Sequence, residues 1–292
     1  MLNSLSAGTF FGCGGPYEAA DLVLFGAPFD STASFRPGAR FASAAMRGDS
    51  IGLETYSPVL DRDLADIFFH DAGDLELCIG EAQTALRQVE SYTAALLQDK
   101  KRPVLLGGEH LVTLGALRAL HQRYPNLHVL HFDAHADLRD EYLGAKLSHA
   151  TVMRRAWELL GDGKIHQFGI RSGERGEFAW ANESHVSMHK FGFDGLAETM
   201  QALRGKPVYL TLDLDVLDPS VLPGTGTPEP GGVDFHALTR ALRELESLNI
   251  AGFDIVELSP PCDPTGASTA VACKLLREML LLFNAEFGIR NA

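Results

Sequence analysis

The stretch "HVLHFDAHADLRD", residues 128–140, sets Asp133, His135 and Asp137 at alternating positions directly behind an apolar run. In an extended segment residues i, i+2 and i+4 project to one side, so two carboxylates and an imidazole converge there. Grouped in this way they repel and lose hydration unless a cation lies between them. The run reads as a buried strand that delivers polar residues at its carboxyl end.

Similar apolar runs recur at residues 21–28, 66–74, 102–110, 164–172, 185–188, 207–215 and 251–259, which with residues 127–135 gives about eight strands. Longer stretches with helical spacing lie between many of them, at residues 81–98, 111–124 and 235–248. Strand alternating with helix is the rhythm of a parallel sheet covered by helices, hence an α/β fold. The same count fits a closed barrel, and both architectures collect reactive groups at the carboxyl ends of their strands. No linker, low-complexity block or repeat divides the chain, so a single domain over residues 1–292 is the economical reading.

The totals agree with a large globular core: 46% of the 292 residues are hydrophobic and 22% charged. A net charge of -13 and a pI near 5.2 argue against nucleic acid or an anionic membrane as partner. Such a field suits a small cationic substrate, although many soluble proteins are simply acidic. Cys13, Cys78, Cys262 and Cys273 lie far apart without a CxxC pair, which signals neither a disulfide scaffold nor a thiolate zinc site. The opening residues carry no basic segment ahead of an apolar one, and no stretch has the length of a membrane span. A cytoplasmic protein is the expectation.

The strand ends form a pattern. Residues 102–107 lead into Glu109 and His110, residues 128–132 into Asp133, His135 and Asp137, residues 207–212 into Asp213 and Asp215, and residues 253–256 into Glu257. His110 alone, after two glycines, is ordinarily a loop or core histidine, and "DLDVLDP" alone reads as a turn shaped by Asp218 and Pro219. Together, four aspartates and two histidines make the hard-oxygen and borderline-nitrogen set that suits Mn²⁺. Six donors over-supply one ion and match two that share bridging aspartates. Four carboxylates against two divalent cations cancel, which leaves a site able to hold a nucleophile generated at neutral pH and to accept a cationic substrate.

In order and spacing, "GGEH", "DAHAD", "SHA" at 148–150, "DLDVLDP", "PGTGTPEPGG" at 223–232 and "VELSP" at 256–260 resemble the ureohydrolase family, the arginases and agmatinases, and most closely the agmatinases. The similarity runs from about residue 25 to near the carboxyl end. It implies an arginase-like three-layer α/β/α fold with an open, mostly parallel sheet, against barrel closure, and it implies two Mn²⁺ ions. Other divalent metals suit the same donors. Carried over by motif, His110, Asp133, Asp137 and Asp213 hold one ion and Asp133, His135, Asp213 and Asp215 the other, with Asp133 and Asp213 bridging. Asp137 then orients the nucleophile, Glu257 pairs with the substrate guanidinium and His149 moves a proton to the departing amine. The plainer roles are a structural salt bridge for Glu257 and a helix-start position behind an N-cap Ser148 for His149. The loop 223–232 reads as rigid and turn-rich, with Thr225 or Thr227 towards the substrate. The resemblance also implies a homotrimer or homohexamer.

Arginases typically read the amino-acid end of arginine with an asparagine and a serine after the "DAH" motif. The corresponding loop here, "LRDEYLGAKL" at 138–147, has neither. Its Asp140 and Glu141 favour a distal ammonium, as in agmatine or an aminopropyl derivative, with putrescine and urea the products from agmatine. Arg139 makes guanidinobutyrate the nearest rival. A catalytically silent, metal-bound scaffold is the contrasting class, and the occupied ligand and catalytic positions argue against it.

Overall fold

Successive side chains along each long strand enter opposite hydrophobic layers, which is why these strands are nearly continuous apolar runs. In the strand 128–132, Leu130 and Phe132 join one layer and Val129 the other; in 207–213, Val208, Leu210 and Leu212 oppose Tyr209. The structure is a computed structural model that describes residues 4–5, 9–12 and 14–284. Cys13 falls outside them.

In chain order the strands are β1 (Ser4–Leu5), β2 (Leu22–Ala27), β3 (Tyr56–Ser57), β4 (Arg62–Asp63), β5 (Phe69–Leu75), β6 (Arg102–Gly107), β7 (His128–Phe132), β8 (Ile165–Ile170), β9 (Ser187–Lys190), β10 (Pro207–Asp213) and β11 (Asn249–Val256). The main sheet is open, in the order β1-β5-β2-β6-β11-β10-β7-β8-β9. Its eight longer strands are mutually parallel, and the two-residue β1 pairs antiparallel with β5 at one edge. All eight expected runs form strands. The short edge strand and the β3–β4 hairpin were not expected.

Helices cover both faces. α1 (Ala42–Ser50), α6 (Leu196–Leu203), α7 (Phe235–Glu244) and α8 (Ala267–Phe283) contribute to one layer; α2 (Ala82–Gln98), α3 (Thr113–Arg123) and α4 (Val152–Leu160) to the other, with α5 (Arg175–Trp180) following β8. The arrangement is the three-layer α/β/α fold, and the linear strand order excludes a closed barrel. Among the described residues no helix is long and apolar enough to cross a membrane.

The topology decides where the site forms. The late strands β11 and β10 are inserted between β6 and β7, so four strands distant in sequence become neighbours. A crevice at the carboxyl ends of strands around such a switch in order is the usual ligand position in open α/β sheets.

Candidate metal centre

The four adjacent strands β6, β11, β10 and β7 each end in one part of the polar cluster. After β6 the chain passes directly beneath the loop that follows β2, and a Cβ on Gly108 would collide with the Phe29 backbone. The adjoining Glu109 carboxylate accepts from the Thr32 backbone N–H (3.0 Å) and hydroxyl (2.5 Å), which ties that loop down. His110 is thereby aimed at the cluster.

His110 Nδ1 lies 3.1 Å from Asp133 Oδ2, 3.2 Å from Asp137 Oδ2 and 3.3 Å from Asp213 Oδ2. His135 Nδ1 lies 2.9 Å from Asp215 Oδ2 and 3.6 Å from Asp133 Oδ1. Asp133 therefore turns one oxygen to each histidine, as a bridging ligand must. Asp213 stands with the His110 group, and its other oxygen accepts from the Asp215 backbone N–H at 2.9 Å. The six residues singled out as metal donors in the sequence all meet here.

The donors fit divalent cations better than they fit one another. Among the described residues, buried His110 Nδ1 and Asp215 Oδ2 find no hydrogen bond of good geometry, a cost that a bound cation removes. Neighbouring donors on a cation with bonds of about 2.1 Å stand about 3 Å apart, close to the spacings seen. Burial, then the charges of Asp215 and Asp133, pushes the Asp213 carboxyl well above its ordinary range. Burial and Asp133 push Asp137 up to about 7. Burial also opposes ionisation of Asp133, but His131, His110 and His135 outweigh it and hold its carboxyl well below that range. A cluster that resists full ionisation by itself is one that positive charge completes.

Behind Asp133 lies a support that the sequence did not suggest. Gln167 Nε2 donates to the Ala136 carbonyl (2.7 Å) and faces His131 Nδ1 at 2.9 Å, so that nitrogen is the acceptor. His131 Nε2 then carries the proton and donates to Asp133 Oδ2 at 2.7 Å. His131 is thus an orienting group, although it lies among the buried groups close enough to share an ion. On the far side of His110, Nε2 faces Thr211 Oγ1 at 2.9 Å.

Two candidate catalytic residues adopt left-handed backbone conformations rare outside glycine, Asp137 at φ 53° and Glu257 at φ 65°. The Asp137 carbonyl accepts from the Met153 and Arg154 N–H groups at the start of α4 (3.0 and 3.2 Å). Glu257 Oε1 accepts from the His110 backbone N–H at 2.6 Å. Burial, with Glu109 nearby, raises the Glu257 carboxyl to about 8, which also favours a cationic partner.

A cavity of about 260 Å³ opens on this cluster, with Asp137, His135, Asp213, Asp215 and Glu257 in its lining. His149 lines it too. Ser148 is the N-cap its position suggested, reciprocated by Thr151, yet the His149 imidazole faces the cavity with Nε2 3.3 Å from Ser34 Oγ. Its backbone N–H donates to Thr32 Oγ1 at 3.2 Å, so Glu109 positions it through Thr32. Burial lowers its pKa to about 4, which leaves the ring neutral at neutral pH.

Thr227 lines the cavity, whereas Thr225 is buried and its carbonyl accepts from Arg36 at 2.8 Å. Asp218 shapes its turn as expected, accepting from the N–H groups of Ser220, Gly231 and Gly232. The acidic loop behaves differently from expectation. Asp140 is exposed and paired with Arg155 at 2.7 Å, Glu141 is exposed, and neither lines the cavity. Beyond the candidate metal ligands and Glu257, the acidic lining comes from Glu174 and Glu177, on the segment after β8. Their signal was present in "RSGERGE", a further strand end carrying carboxylates. Arg139 does line the cavity, with Nη1 3.0 Å from Glu174 Oε1 and its guanidinium 4.4 Å from the Tyr142 ring centre.

Residues 20–282 match the model of the arginase family. The agmatinase of Bacillus subtilis (strain 168) is 46% identical over 270 residues, covering 91% of this chain and 93% of that one. The N(1)-aminopropylagmatine ureohydrolase of Thermococcus kodakarensis is 40% identical over 277 residues, 93% of each chain. A crystal structure from Clostridium difficile superposes with a TM-score of 0.91 at 50% identity, over 93% of this chain and 100% of that one.

Proposed function

From the premise that this chain belongs to the arginase family and is a hydrolase of guanidino C–N bonds, we propose that it hydrolyses agmatine to putrescine and urea at a binuclear manganese centre. The observation that carries this reading is the convergence of His110, Asp133, His135, Asp137, Asp213 and Asp215 beside a cavity that also presents Glu257 and Glu174.

In this reading His110, Asp133, Asp137 and Asp213 hold one ion, and Asp133, His135, Asp213 and Asp215 the other. Two such divalent ions, when bound, would lower the pKa of water at the site and stabilise developing negative charge. A guanidinium is delocalised and permanently protonated, so its carbon must be held in place before it can be attacked. Glu257 does this with a charge-assisted contact, its carboxylate fixed by the His110 N–H. Asp137 accepts a hydrogen bond from the attacking water and orients it. His149, neutral in its buried position, takes up the proton released on attack and delivers it to the amine nitrogen as the C–N bond breaks. Water adds across that bond, the amine leaves as an ammonium and urea remains.

Glu174 on the cavity wall supports a substrate whose tail ends in an ammonium. Manganese rests on the hardness of the carboxylate-rich donor set, and elemental analysis of protein from unsupplemented cells tests it. A single ureohydrolase domain, assembled as a cytoplasmic homotrimer or homohexamer, completes the proposal. The one nine-stranded main sheet supports the single domain, and exposed Phe35 and Leu143, neighbours of the cavity residues Ser34 and Tyr142, support an assembly of copies. Light scattering measures the assembly.

The deciding experiment is urea release from Mn²⁺-loaded protein offered agmatine, N1-aminopropylagmatine, guanidinobutyrate and arginine, with and without prior chelation. The expected result is fastest turnover of agmatine, abolished by chelation. Preference for a carboxylate-bearing compound overturns the substrate, and no urea from any of the four overturns the enzyme reading.

A further inference from the structure

One wall of the cavity carries an internal cation. Arg139 joins Glu174 and Glu177 in the lining, with Nη1 3.0 Å from Glu174 Oε1 and Nε 3.6 Å from Glu177 Oε2. The two glutamates are not equivalent. Glu177 is committed to the backbone: Oε1 accepts from the Leu138 N–H (2.8 Å) and Oε2 from the Glu174 N–H (2.7 Å). Glu174 is 64% exposed, so its carboxylate, though paired with Arg139, is open to solvent. Arg139 is held over Tyr142 and is only 27% exposed, so its charge is a fixed feature of the wall. The sum is two carboxylates against one guanidinium, a single net negative charge.

We propose that Arg139, through its pair with Glu174, sets the tail subsite to accept one distal positive charge and disfavours tails that carry two. The inference rests on the guanidino-hydrolase reading above and adds the residue that sorts substrates within it. A monocationic tail, as in agmatine, meets a wall of matching charge. A dicationic tail, as in N1-aminopropylagmatine, brings a second ammonium that gives up hydration although the one uncompensated negative charge of the wall is already matched. A guanidinium engaged by one carboxylate and close to a second is also a poor receptor for a substrate carboxylate, which works against guanidinobutyrate.

The test compares kcat/KM for N1-aminopropylagmatine and agmatine in the metal-loaded wild type, Arg139→Gln, Arg139→Lys and Glu174→Gln. Arg139→Gln should raise the dication-to-monocation ratio roughly 5- to 10-fold, the effect of one unit charge across a partly solvated gap. The change should lie in KM and shrink at high salt. Arg139→Lys keeps the charge and should leave the ratio within about twofold of wild type, while Glu174→Gln should lower it. An unchanged ratio in Arg139→Gln, or an equal loss of kcat on both substrates, overturns the proposal. If Arg139→Gln does not fold, the decision passes to Glu174→Gln, where a ratio that stays level or rises has the same effect. Wild-type urea release is measured first, so failure of the enzyme reading is separated from failure of this one.

Discussion

The backbone N–H of His110 donates to Glu257 Oε1 across 2.6 Å, which links the last residue of the "GGEH" turn to the residue that follows β11. One carboxylate oxygen is thereby fixed and the group as a whole faces the cavity. Glu257→Gln keeps an oxygen for that hydrogen bond and removes the charge. It should lower kcat/KM roughly hundredfold, about 2.7 kcal/mol of transition-state stabilisation, with manganese content unchanged. Metal loss in this variant would assign Glu257 to the metal cluster instead of the substrate.

Gln167 acts at one remove from the candidate metal site. By donating to His131 Nδ1 it fixes the tautomer that donates to Asp133. Gln167→Leu removes that donor at similar volume and should weaken Mn²⁺ affinity roughly 10- to 100-fold, as read by calorimetry on the metal-free protein. A small stability cost of about 1–2 kcal/mol, from the Ala136 carbonyl left without its partner, should accompany it. Unaltered affinity would make the His131 pair a packing feature only.

The sheet was legible because its strands are buried on both faces and therefore read as apolar runs between turn signals. α8 was not, because it is apolar almost all round: Leu275, Leu276, Met279, Leu280 and Leu281 are fully buried, and Arg277 is buried against Glu278. A helix enclosed in this way lacks the one-sided stripe that periodicity detects. The candidate ligands were legible from their spacing at strand ends, but the adjacency of β6, β11, β10 and β7 was not, since it depends on pairing between distant segments. His131 was hidden inside an apolar run, where alternation sends it to the face opposite Phe132. The left-handed backbones of Asp137 and Glu257 have no sequence mark at all, because for such residues only the surrounding fold imposes that conformation.

Asp140 and Glu141 illustrate the limit of reading charge from a loop. Asp140 is turned outward to Arg155 and Glu141 is exposed. Asp140→Asn and Glu141→Gln should each leave kcat/KM for agmatine within about twofold, as expected of exposed charges that pair weakly. A KM increase of tenfold or more in either variant would return the tail-binding role to this loop.

Metal uptake should release protons and depend on pH. In the metal-free protein burial and Asp133 hold Asp137 up to about 7, and burial with the charges of Asp215 and Asp133 holds Asp213 well above the ordinary carboxylate range. Ligation requires both as carboxylates. The metal-free form therefore binds more protons than the loaded form, and falling pH favours it. Mn²⁺ affinity should rise with pH through the region near 7, by up to about a decade per pH unit for each proton displaced. Calorimetry in buffers of different ionisation enthalpy measures that proton release directly. Asp137→Asn has no carboxyl to deprotonate there, so its affinity should be lower and its pH slope shallower. An affinity that stays level between about pH 6 and pH 8 would mean that the carboxylates are already ionised before the metal arrives.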